Sequence, residues 1–160
     1  MSKKLSVIGE IHSEDVFNVL VDYEIERAKR YPTPISLLCI EITPDASNQE
    51  TLQSASNFFA SALIQYMRSA DVPCVNGKEF MIMLPATNQK GLSSACERML
   101  SVFQQGFETE DGNSIAFSLN IGGTTQEGGE SLSHERLFTK GKTALNISKQ
   151  KGPNTYVIET

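Results

Sequence analysis

The segment Ile35-Ser36-Leu37-Leu38-Cys39-Ile40-Glu41-Ile42 constrains this chain more than any other. It is apolar almost throughout and rich in branched residues, so neither face of the strand it predicts suits water. Such a strand needs a layer on each side, which points to an α/β (α+β) fold with helices flanking a central sheet. Glu41 is its one charged member.

The neighbouring segments supply those layers. Ser13 followed by Glu14 and Asp15 reads as a helix cap with acids in the first turn, and Phe17, Leu20, Val21, Ile25 and Ala28 then recur at helical spacing. Pro32 and Pro34 forbid continuation. After Pro44-Asp45, the stripe Leu52, Ala55, Phe59, Ala62, Leu63, Tyr66 and Met67 predicts a second helix ending near Asp71. Apolar runs at 72–75 and 80–84 flank Asn76-Gly77-Lys78-Glu79, and Asn-Gly is the strongest short hairpin signal. Leu92, Ala95, Cys96, Met99, Leu100 and Phe103 predict a third helix, with Gly106 as its terminator. Ile115, Phe117, Leu119 and Ile121 alternate as a strand, 122–129 reads as a flexible glycine-rich loop, and 133–149 predicts a last helix stopped by Gly152-Pro153 before a short strand at 156–158. From Ile35 onward the order is strand, helix, strand, strand, helix, strand. That is the ferredoxin-like palm arrangement, with a mainly antiparallel sheet of about five strands.

With 160 residues, 39% of them hydrophobic and 21% charged, the chain reads as one globular domain over 1–160 with its core at about 13–159. No apolar run approaches the roughly 20 residues that span a bilayer, and Met1-Ser2-Lys3-Lys4-Leu5 does not open a secretory signal, so membrane insertion is not expected and a cytoplasmic location is. A net charge of -5 provides no basic field for nucleic acid. Cys39, Cys74 and Cys96 are odd in number and set in apolar sequence, which favours buried reduced thiols over disulfides or a zinc site. Neither His12 nor His134 stands beside a Ser or Cys nucleophile in a way that suggests hydrolysis.

Several motifs in this order resemble the GGDEF family, the bacterial diguanylate cyclase domain that joins two GTP molecules into cyclic di-GMP. Asn76-Gly77-Lys78-Glu79-Phe80 stands where the family has Gly-Gly-Asp/Glu-Glu-Phe, and Leu84-Pro85 follows it. Ala95-Cys96-Glu97-Arg98 is similar to the family's Ala-Glu-Arg segment, and Ser118-Leu119-Asn120-Ile121-Gly122 to its Ser-Ile-Gly strand. Ala144-Leu145, Lys149 and Gly152-Pro153-Asn154 follow the closing pattern that ends in Gly-Arg-Asn.

The departures bear on activity. In the family, a strand-end aspartate and the acidic third residue of the signature bind divalent metal; here those places hold Glu41 and Lys78, and a second strand-end aspartate is Thr43. An ammonium cannot ligate a cation. The phosphate- and guanine-holding segment after the first core strand is replaced by the shorter 44–48, the usual Asp-x-Leu-Thr-Gly-Leu opening is absent, and Pro153 stands for the final arginine. The resemblance therefore implies a catalytically inactive signalling module without metal or other cofactor. Lys78 at the hairpin tip is expected near Glu41, in the space a cation would fill. Arg68-Ser69-Ala70-Asp71 resembles the Arg-x-x-Asp motif at which many members bind cyclic di-GMP, and Arg98 stands where a second helix adds an arginine. On that reading the arginine forks donate to guanine O6 and N7, the aspartate accepts from the guanine, and Lys149 is a phosphate contact or a complement to its helix dipole. Cyclic di-GMP and a protein partner in a signalling pathway are the implied ligands, and homodimer formation stays open. Two alternatives remain: a divergent cyclase using Glu41 with Asp45, and a domain that binds GTP without turnover.

Overall fold

The computed structural model describes residues 11–45, 49–103, 107–108, 112 and 114–160. Helix α1 (Glu14–Arg30) leads into strand β1 (Ile35–Pro44), followed by α2 (Gln49–Tyr66), β2 (Val72–Asn76), β3 (Glu79–Pro85) and α3 (Gln89–Phe103). Two short strands, β4 (Phe107–Glu108) and β5 (Ser114–Ile115), pair with each other before β6 (Phe117–Gln126), α4 (His134–Lys151) and β7 (Thr155–Glu159). The main sheet has five strands in the order β2-β3-β1-β6-β7. Its pairs are antiparallel except β6 with β7. The expected mainly antiparallel sheet flanked by helices is what forms.

Strand β1 sits at the centre, and its alternation divides the core. Leu38, Ile40 and Ile42 point to the side covered by α2 and α3, where Phe59, Leu63, Leu92, Cys96 and Phe103 meet them. Ile35, Leu37 and Cys39 point to the side covered by α1 and α4, against Phe17, Val21, Ile25, Leu137 and Leu145. Glu41 continues this second series, so its carboxylate points under α4.

Ser13 caps α1 as predicted, its hydroxyl accepting from the Val16 N–H. Three predictions need correction. The second helix stops at Tyr66, short of Asp71, because the Arg68 N–H turns to Asp71 Oδ2 at 2.9 Å, a side-chain acceptor that competes with the helical carbonyl. Residues 122–126 are not loop but the second half of β6, nearly all of it buried or half-buried. Gly122 is required there by packing: a Cβ on it would lie 2.1 Å from the Leu145 backbone nitrogen, so the glycine is what lets α4 settle on the sheet. Asn76 does not occupy the hairpin turn but ends β2 opposite Glu79, leaving Gly77 and Lys78 as the two loop residues. Gly77 has φ +65° and Lys78 does not have a positive φ, the φ signs of a II′ turn, which wants glycine first. Gly106, read as a helix terminator, and residues 46–48 of the shortened loop lie outside the described residues.

Candidate functional sites

The hairpin brings the signature to β1 as follows. Glu79 pairs with Glu41 across β3 and β1, and the Ile42 N–H donates to the Lys78 carbonyl at 3.1 Å, which ties the hairpin tip to the strand. Glu41 does not end the strand: β1 runs on to Pro44, and Glu41 is buried. A buried carboxylate needs cationic partners or hydrogen-bond donors. Lys78 Nζ lies 3.8 Å from Oε2, the proximity expected from the sequence, and Lys149 Nζ lies 3.1 Å from Oε1. Lys149 is therefore an ion-pair partner of Glu41, in addition to any complement it makes to the α4 dipole. One turn pair up the same helix, Lys142 bonds Glu79 at 3.1 Å. Burial alone would lower the Lys142 pKa, but the hydrogen bond and charge of Glu79 outweigh it and the net direction is up. Lysines at 142 and 149, seven apart on α4, share a face toward β1 and β3; that spacing was the signal in the sequence that could have found the second partner.

Thr43 is exposed on β1, past Glu41, and Asp45 is exposed beyond the strand with its N–H on the Ala116 carbonyl. The donor set at this corner does not fit a divalent cation. It offers Glu41 and Glu79, each already facing an ammonium, and among the described residues no group of three or more His, Cys, Asp or Glu could hold a metal.

The second constellation forms at the opposite end of the same strands, where Pro85 pairs with Ile35. Arg68 and Asp71 lie in the turn between α2 and β2, not on the last turn of a helix. Asp71 is nearly closed off, with a side chain 5% exposed, whereas the Arg68 side chain is 54% exposed. Asp71 Oδ1 accepts from Arg68 Nε at 3.2 Å and Nη2 at 2.9 Å. Nη2 also donates to the Pro85 carbonyl at 2.9 Å and to Thr87 Oγ1 at 2.8 Å. Asp71 accepts three bonds from Arg68, one from its N–H and two from its guanidinium, and so holds the guanidinium in place. With Nε and Nη2 engaged, Arg68 offers a ligand Nη1 and its flat face instead of a free fork. Arg98 is exposed on α3, and with Arg68, Asp71, Thr87 and Asn88 it lines a cavity of about 340 Å³. The three residues singled out from the sequence thus border one cavity. Thr87 and the Pro85 carbonyl were missed, since a buried hydroxyl in a turn leaves no sequence pattern.

All three cysteines are buried and free. Burial pushes the Cys39 and Cys96 thiols up to about 12 and Cys74 up to about 11, which removes them as nucleophiles at neutral pH.

Residues 51–155 match the family described as diguanylate cyclase, GGDEF domain. The chain belongs to the GGDEF domain family. No curated protein matches its sequence. Solved GGDEF structures share the fold. The GGDEF domain of DgcB from Caulobacter crescentus, solved in complex with c-di-GMP, aligns with a TM-score of 0.79 at 17% identity over 92% of this chain and 88% of that one. The diguanylate cyclase SiaD from Pseudomonas aeruginosa, solved with its activator SiaC, gives 0.76 at 17% identity over 93% of this chain and 59% of that one. The active GGEEF domain of a diguanylate cyclase from Vibrio cholerae gives 0.64 at 19% identity over 94% and 98%. Among the described residues of this GGDEF domain, no helix is long and apolar enough to cross a membrane.

Proposed function

We propose that this GGDEF domain is a catalytically inactive signalling module that binds cyclic di-GMP at the Arg68, Asp71 and Arg98 cavity. The observation that carries the first half is Glu41 facing Lys78 at 3.8 Å and Lys149 at 3.1 Å. Two ammonium groups compensate the one buried carboxylate of the corner, and a divalent cation arriving there would meet positive charge at close range. The DgcB domain was solved with c-di-GMP, and here a half-exposed guanidinium and a second exposed arginine border a cavity with the chemistry to meet phosphates and guanines. SiaD was solved with a protein activator, and docking of a protein partner is the reading that takes over if the nucleotide does not bind.

Incubation with GTP and magnesium or manganese, followed by chromatography, should yield no cyclic product above a buffer control. Metal-dependent turnover abolished by Glu41→Gln would overturn the inactive reading. Calorimetric titration with cyclic di-GMP, GTP and ATP should give heat with cyclic di-GMP alone, and Arg68→Ala or Arg98→Ala should weaken it by about 1.5 to 3 kcal/mol. No heat at high micromolar cyclic di-GMP would remove the receptor reading.

A further inference from the structure

Thr87 is held from every side. It is buried, its N–H donates to the Pro34 carbonyl at 3.2 Å, and its own carbonyl accepts the buried Ser36 hydroxyl at 2.7 Å. Its hydroxyl donates to the Pro85 carbonyl at 3.0 Å. The one hydroxyl proton being used there, only oxygen lone pairs remain toward Arg68, so the 2.8 Å contact with Nη2 has a fixed sense: the guanidinium donates. Between these two acceptors lies Ala86 at φ +50°, a left-handed conformation that a residue with a Cβ adopts at a cost. That turn places the Pro85 carbonyl and the Thr87 hydroxyl within reach of the same nitrogen. A merely structural turn needs neither acceptor aimed at a side chain that is half in water.

We propose that Thr87 is a positioning residue of the cyclic di-GMP site: with Asp71 bonding Nε and Nη2 and Thr87 bonding Nη2 again, the Arg68 plane is set before the ligand arrives, leaving Nη1 for the ligand. A side chain as long as arginine otherwise loses considerable rotamer freedom on binding, and fixing it beforehand removes that loss. The proposal rests on the receptor reading above and adds to it the residue that tunes its affinity.

The experiment combines calorimetry with cyclic di-GMP and nitrogen-15 NMR of the arginine side chains, on the wild type, Thr87→Val and Thr87→Ser. Valine keeps the shape and removes the acceptor; serine keeps the acceptor. The expected result is a roughly tenfold weaker Kd in Thr87→Val with serine close to wild type. In the free protein, rotation of the Arg68 guanidinium should be slower in wild type and Thr87→Ser than in Thr87→Val, where only the Asp71 and Pro85 bonds remain. If the valine variant does not fold, Thr87→Ala carries the same expectation. Equal affinity for Thr87→Val and wild type, where Arg68→Ala is weakened, overturns this inference and leaves the receptor reading standing. A serine variant as weak as valine also overturns it, since the hydroxyl would then not be the cause. No heat for any of these proteins, wild type included, overturns both; hindered Arg68 rotation in the NMR spectra would then mark a structural ion pair only.

Discussion

The two ends of β1 and β3 each hold a nearly buried carboxylate with basic company, Glu41 with lysines from the hairpin and α4 and Asp71 with an arginine of its own turn, yet they leave different chemistry over. At the Glu41 end, two half-exposed lysines come to one buried carboxylate. At the Asp71 end, one arginine meets one carboxylate, and because a guanidinium has donors on several edges, pairing leaves Nη1 and a flat face for something else. Lysine is a point charge that a carboxylate can use up; arginine at a comparable ion pair remains a binding group. That contrast is why we propose loss of catalysis at one end and ligand recognition at the other.

The contrast can be broken by removing partners. The largest effect is expected when Glu41 loses both cations: Lys78→Ala with Lys149→Ala leaves a carboxylate 6% exposed with no counter-charge, which should cost about 3 to 5 kcal/mol in urea unfolding. Each single variant should cost about 1 kcal/mol, because the other lysine stays. A double variant no worse than the sum of two such losses would mean that water reaches Glu41 and that the corner is open. Next comes Asp71→Ala, expected to cost about 1 to 3 kcal/mol, since it removes three hydrogen bonds to a carboxylate. Glu41→Gln should stay within about 1 kcal/mol of wild type, because both lysines are half exposed and return to water. If Glu41→Gln proved costlier than Asp71→Ala, the ordering of the two sites would be reversed.

The smallest effect at neutral pH concerns the three buried thiols. Their folded pKa values are raised, so their contribution is fully present below the ordinary thiol value near 9 and is lost as pH rises through about 11 for Cys74 and about 12 for Cys39 and Cys96. Urea midpoints should be flat in this respect up to pH 8 and fall progressively from pH 9 upward. Cys39→Ser would blunt the fall only if that thiol is one of its causes.

The sequence by itself determined the order of the helices and of the five main-sheet strands and the two-faced burial of β1, because these follow from local periodicity and from residues that forbid continuation, such as Pro32 and Pro34. Ile115, read as part of the strand through Ile121, belongs instead to the separate β4–β5 pair. It also placed the hairpin, while the expectation of Lys78 beside Glu41 comes from the resemblance to the GGDEF family, whose hairpin lies against the first core strand, and the β1–β3 register agrees with it. The tertiary structure decided what no local pattern encodes. Gly122 looks like loop until Leu145 of α4 is known to lie against it. Lys149 becomes the second partner of Glu41 only because α4 crosses that face of the sheet, 108 residues away in sequence. Arg68 and Asp71 could be read as a spacing, but the burial of Asp71 is a tertiary outcome, and the acceptor on Thr87 depends on a turn held by the distant Pro34 carbonyl and Ser36 hydroxyl. A periodic pattern reports on the side a residue faces; the partners met there are settled when separate elements pack, since ion pairs and close backbone contacts are properties of two segments at once.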